Sequence, residues 1–200
     1  MRRLSSLLLV SALSFASSAS ATVIFSDGLP TLGDTYNALT AGNFTVLSGN
    51  VDILQGGGPY GSLCAGSSPC LDLNGDRAGS ITSGNLSLAA GTYTLTFTLN
   101  NAQRHVVGST TVTLGSLFNQ TYTDPAPGTV SQTITVLSAT NVPLIFTSNV
   151  GDVAGDILSA VSLATYSSPL INPVPEVSSI FLMSVPLLAF VAYRRSYGRI

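Results

Sequence analysis

Residues 91–100 read GTYTLTFTLN, and the alternation inside them decides the fold. Tyr93, Leu95, Phe97 and Leu99 fall on one face of an extended chain. Thr92, Thr94, Thr96 and Thr98 fall on the other, because successive side chains of a strand point opposite ways. A strand with one apolar and one hydroxyl face is covered on one side only, the pattern of an antiparallel sheet. Outward from this stretch, short runs of the same kind recur. NFTVL, NVDIL, CLDLN and NLSLA precede it; STTVTLG, TVSQTITVL, VPLIF and DILSAVSLA follow. Turn formers punctuate them in QGGGPYG, LAAG and DPAPG. No run between residues 22 and 168 carries the spacing of an amphipathic helix. The expectation is all-β: an antiparallel β-sandwich of jelly-roll type.

At 200 residues the chain has room for one domain plus processing segments. Residues 1–21, MRRLSSLLLVSALSFASSASA, read as a signal peptide. Arg2 and Arg3 precede a short apolar stretch, and Ala19-Ser20-Ala21 fits a small-residue cleavage site. The apolar stretch is too short to cross a bilayer. Residues 169–176 form a Pro-rich linker. Residues 177–193 form an uncharged, mostly apolar run of the minimum spanning length, a single transmembrane helix. Arg194, Arg195 and Arg199 follow in the basic tail, residues 194–200, and hold the C-terminus in the cytoplasm.

Residues 22–168, the expected ectodomain, hold eight aspartates, two arginines and no lysine, a net charge of about −6. A surface of that sign repels phosphate backbones, so nucleic acid is excluded as a partner. Cys64 and Cys70, six residues apart in an exported chain, are expected to form a disulfide.

The order of several landmarks resembles a β-sandwich domain of exported bacterial proteins, similar to galactose-binding-like and carbohydrate-binding-module folds. The landmarks are Val51-Asp52, Leu71-Asp72-Leu73-Asn74-Gly75, the AGTYTLTF strand, Gln103-Arg104 and the closing strand through DILSAVSLA. The resemblance implies a ligand surface to which Asp72, Asn74 and Arg104 contribute. One departure stands out. Ser159-Ala160 occupy the place where the family carries an Asp-Asn pair before V-S-L, so a carboxylate is missing there.

The residues do not predict an enzyme. Glycoside hydrolysis needs two carboxyl groups across a cleft, and no pair of aspartates has that context. The single histidine, His105, lies in NNAQRHVVG without a nucleophile elbow beside it. Asp72, Asn74 and Asp76 give the alternating oxygen donors with which calcium loops begin, but Arg77 and Ser83 break the rest of that pattern. A strand end followed by an Asn-Gly turn is the simpler reading of DLNGDR; a weak calcium site on these three residues is the other. No cofactor is implied. Tyr36, Tyr60 and Tyr122, placed in loops by the strand assignment, are the candidates for a glycan platform, in a chain without tryptophan.

Glu176, the one glutamate of the chain, lies in Val174-Pro175-Glu176-Val177, before the apolar run and the arginines. That order resembles the PEP-CTERM sorting signal: a Pro-Glu-Pro-like motif, a short transmembrane helix and a basic cluster. Val177 stands where the family has proline. The resemblance implies an exosortase-type membrane protease as partner. It also implies transient anchoring in the inner membrane, then delivery to the cell surface or extracellular matrix of a Gram-negative bacterium. The expected function is an exported, non-catalytic surface or exopolysaccharide-matrix protein that binds glycan. The alternatives are a purely structural surface protein without ligand and a secreted hydrolase.

Overall fold

The computed structural model of the chain describes residues 20–31, 33–64, 69–101, 107–151 and 155–166. The leader, apart from its last two residues, lies outside them. So do the whole linker assignment, the sorting motif Val174–Val177, the membrane helix, the basic tail, Arg104 and His105.

Thirteen strands are described, and all their pairings are antiparallel. They are β1 (Val23–Ser26), β2 (Thr35–Ala38), β3 (Thr40–Ala41), β4 (Phe44–Ser48), β5 (Val51–Leu54), β6 (Cys70–Asp72) and β7 (Ser80–Leu88). Then follow β8 (Gly91–Asn100), β9 (Ser109–Leu114), β10 (Phe118–Thr123), β11 (Gly128–Val136), β12 (Thr140–Ser148) and β13 (Ile157–Thr165). One sheet has the order β11-β8-β13-β6-β5-β2, with β1 also paired to β13; the other runs β10-β9-β12-β7-β4-β3. Two antiparallel sheets around one core make the domain an all-β sandwich, as the alternation predicts. The one helical element among the described residues is the 3-10 turn Gly61–Leu63.

The opening stretch behaves as its pattern requires. In β8, Tyr93, Leu95, Phe97 and Leu99 are buried and the intervening threonines are half-exposed. β11 registers against it without a shift, from Gly128 opposite Leu99 to Val136 opposite Gly91. Outer-face hydroxyls pair across strands, Thr98 with Thr129 at 3.2 Å and Thr111 with Thr121 at 2.8 Å. Such pairs satisfy the solvent faces with few charges.

Inside, edge-to-face rings form a continuous line. Phe25 meets Phe44 at 5.0 Å, Phe44 meets Phe146 at 5.9 Å, Phe146 meets Phe97 at 5.4 Å, and Phe97 meets Tyr122 at 5.6 Å. Residues from both sheets contribute, so the line ties the layers together. A smaller cluster of Leu54, Leu63, Cys64, Cys70 and Ile157 packs beside it. The expected disulfide is present there, joining Cys64 and Cys70 with Cα atoms 5.4 Å apart.

Several boundaries differ from those expected. NLSLA is the second half of a longer strand, β7, which begins at Ser80. The SITSGN segment bends at Gly84, which adopts φ +71°. It stays in the sheet because the Ser83 hydroxyl accepts the Leu144 N–H (3.1 Å), opposite a register shift in β12. Tyr36 and Tyr122 lie in strands, β2 and β10, not in loops.

Candidate functional site

The chain leaves β1 at Ser26, forms a loop through Asp34, and enters β2 at the margin of the seven-stranded sheet. There β2 pairs with β5, with Thr35 opposite Ile53 and Ala38 opposite Val51. The pairing carries the loop before β2 and the glycine-rich loop after β5 to the same end of the sandwich. Between the two loops lies an open cleft of about 600 Å³, lined by Thr31, Asp34, Tyr36, Gln55 and Gly56 to Pro59.

Asp34 organises the cleft. Its Oδ1 accepts the Gln55 backbone N–H at 2.8 Å, and its Oδ2 accepts the Tyr36 hydroxyl at 3.1 Å. The Gln55 side-chain amide donates to the carbonyls of Pro30 (2.9 Å) and Gly33 (3.3 Å), fastening one loop to the other. Gly58 approaches Asp34 closely: a Cβ there would lie 2.6 Å from both Asp34 oxygens and would displace the carboxylate. The rings of Tyr36 and Tyr60 stand perpendicular, with centroids 6.2 Å apart, and each is half-exposed. Desolvation first, then the hydrogen bond and charge of Asp34, hold the Tyr36 phenol above its ordinary value, so the hydroxyl remains a donor. Exposed aromatic faces beside a carboxylate and amides offer apolar ring faces and hydrogen-bond acceptors together.

The other predicted site residues lie apart from this cleft. Asp72 is buried, and its Oδ1 accepts the backbone N–H groups of Asn74 (3.0 Å) and Gly155 (2.9 Å). Asn74 is also buried and donates its amide to the Val150 carbonyl at 3.0 Å. Asp76 is exposed and faces β2, where its Oδ2 accepts the Asn37 amide (2.9 Å) while Asn37 Oδ1 accepts the Asp76 N–H (2.8 Å). Asp72 and Asn74 thus brace the strand ends from inside while Asp76 clips β2 from outside. An isolated bridge between Asn74 and Ala78 closes the tight turn that DLNGDR suggests. Among the described residues no three His, Cys, Asp or Glu side chains gather as a metal ion would need. Tyr122, the third platform candidate, stacks edge-on against Phe97 instead of facing the cleft.

Asp34 and Gln55 carry no signature in the sequence. The nearest signal is a lone aspartate one residue before a strand, TLGDTY, and a distant glycine-rich loop, QGGGPYG. Only the β2–β5 pairing shows that they meet. Asp156, likewise without a signature, is buried at the start of the closing strand. Its Oδ2 accepts the Thr110 hydroxyl at 2.6 Å, while Oδ1 is buried without a hydrogen-bond partner. Burial pushes its carboxyl up, the Thr110 bond opposes the shift, and the charge of Asp124 adds to it.

No family model matches the chain, and no curated protein matches it. Among solved structures, the chain is similar to the C-terminal CBM6 of LamC, a marine laminarinase from Zobellia galactanivorans. That match has 12% identity and a TM-score of 0.42, covering 74% of this chain and 100% of the other. It is also similar to a family 35 carbohydrate-binding module from Clostridium thermocellum, at 12% identity and TM-score 0.39, over 75% and 100% of the two chains. A third is CBM6cm-2 from Cellvibrio mixtus lichenase 5A, in complex with cellotriose. It has 15% identity and TM-score 0.36, over 51% and 81%. Likeness at this level decides neither fold nor ligand. The sandwich rests on its own sheet order and the cleft on its own residues.

Proposed function

We propose that the domain is a non-catalytic glycan-binding module, and that the Tyr36–Tyr60 cleft is its binding site. The observation that carries this reading is an open cleft lined by Tyr36, Asp34 and Gln55, with the half-exposed Tyr60 ring set edge-on against that of Tyr36. Sugar rings present a C–H face to an aromatic ring and hydroxyls to carboxylate and amide groups, the two chemistries assembled here. Asp34 is the one carboxylate among the described residues lining the cleft. A single carboxylate lacks the second group that glycoside hydrolysis uses, which favours binding over cleavage.

The proposal extends to where the module works. The disulfide suits an oxidising compartment, in keeping with the signal peptide over residues 1–21. The Val174-Pro175-Glu176-Val177 motif, the apolar run and Arg194, Arg195 and Arg199 support processing by an exosortase-type protease. The mature domain would then reach the cell surface or exopolysaccharide matrix.

Native gels containing the producing cell's exopolysaccharide test the binding. Retardation of the wild type, lost in Tyr36→Ala, is expected. Equal mobility with and without polymer removes the proposal and leaves a structural surface protein. Glu176→Gln in the native host tests the sorting: accumulation of the uncleaved chain is expected, and unchanged release refutes it.

A further inference from the structure

A second groove, of about 420 Å³, is also lined by residues of the loop between β1 and β2. Ser26, Asp27, Thr31, Thr98, Ser159 and Ala160 are among the residues lining it. Thr31 lines both this groove and the tyrosine cleft, so the two share a wall. Each is of a size that holds a ligand of a few rings.

Backbone geometry marks one wall of the second groove. Among the described residues other than glycine, positive φ occurs at Asn37, Asp124 and Ala160. Asn37 follows Tyr36 of the cleft, and Ala160 lines the second groove. L-residues rarely hold this conformation, and it concentrates where a surface is shaped for a ligand. Ala160 sits in the bulge of β13 between Ser159 and Ser162, with Ser159 opposite Thr98 of β8. The bulge is pinned from the loop: Asp27 donates its N–H to the Val161 carbonyl (3.1 Å) and accepts the Val161 N–H on Oδ2 (3.0 Å). The groove therefore has a hydroxyl floor at Thr98 and Ser159 and a carboxylate at its rim.

We infer that the two grooves form one extended surface for an uncharged polysaccharide, which passes over Thr31 from the tyrosine cleft to the Thr98–Ser159 floor. The inference rests on the glycan reading of the cleft and adds the ligand's length and charge. Its length follows from the shared wall: a ligand of one or two sugars fills the first groove alone. Its charge follows from the lining: Asp34 and Asp27 contribute carboxylates, and no arginine is among the described lining residues in a chain without lysine. A uronate polymer would bring like charges together without a cation between them.

The test is calorimetric titration of the full chain with neutral hexose oligosaccharides of two to eight units, and with a polyuronate. Affinity should rise at least tenfold between short and long neutral oligosaccharides, and the polyuronate should not bind. Thr98→Tyr, which fills the second groove, should cost the long oligosaccharides at least tenfold and leave the short ones unchanged. Thr98→Val, with nearly the wild-type shape, should cost them a few-fold. Melts of both variants report whether the sheet is intact. If long and short oligosaccharides bind alike and Thr98→Tyr changes nothing, the extended surface is refuted and the cleft reading stands. If a polyuronate binds better than neutral chains, the charge assignment is refuted. If no neutral glycan binds at any length, both readings fall.

Discussion

Replacing Phe97 by alanine tests the layer-to-layer packing on which the domain depends. The ring is fully buried and makes edge-to-face contacts with Phe146 at 5.4 Å and Tyr122 at 5.6 Å. Truncating a buried phenylalanine costs about 3–5 kcal/mol, from lost transfer energy and the cavity left behind. Each lost ring pair adds about 0.5–1.5 kcal/mol beyond its area. Phe97 holds two such pairs in the middle of the line, so the loss lies toward the upper end, about 4–5 kcal/mol. At about 2–4 °C per kcal/mol for a domain of this size, the Tm falls by about 8–20 °C. Thr96→Ala, one residue away on the outer face, stays within about 0.5 kcal/mol. Urea denaturation and thermal melts of the two variants measure both. Equal losses at Phe97 and Thr96 would refute the division of β8 into a core face and a solvent face.

Other consequences follow from single contacts. Gly58→Ala drives a methyl against both Asp34 oxygens, so glycan affinity should drop about tenfold, about 1.4 kcal/mol, with little change in Tm. Titration beside a melt separates the two effects. Removing the disulfide with Cys64→Ala and Cys70→Ala together should cost about 2 kcal/mol, because the ring it closes is short. Urea midpoints report that loss. Asp156 gives a pH dependence. Its carboxyl is raised above the ordinary 3.8 by burial, so the stability it contributes is full below that value. That stability is lost as pH rises through the folded value. Asp156→Asn should therefore gain on the wild type from acid to neutral pH, and a pH series of melts with a constant difference refutes the assignment.

The sandwich was legible where a strand has one dry face. β8 alternates without interruption because it lies inside its sheet and half of each turn of side chains meets the other layer. β10, FNQTYT, and β2, TYNA, escaped because they run at the sheet margins, where even inward positions are half-exposed and polar residues are tolerated. The cleft was half legible. Tyr36 and Tyr60 stand out as exposed aromatics, but nothing local says that residues so far apart meet. A strand pairing makes them neighbours, and such pairings follow from packing across the whole domain. Asp72 and Asn74 drew notice as oxygen donors, whereas their side chains brace backbone N–H and carbonyl groups at strand ends. Short polar side chains after a strand serve that bracing and ligand binding with the same letters.

The central claim, that the Tyr36–Tyr60 cleft holds glycan, is most directly tested on the tyrosine rings themselves. The chain has seven tyrosines and no tryptophan, so ring-labelled tyrosine gives a small set of NMR signals. Adding a neutral polysaccharide should shift the signals of Tyr36 and Tyr60 and leave in place those of Tyr93, buried in the core, and Tyr122, partly buried against it. Shifts at Tyr122 without shifts at Tyr36 and Tyr60, or no shift at saturating polymer, would contradict the account.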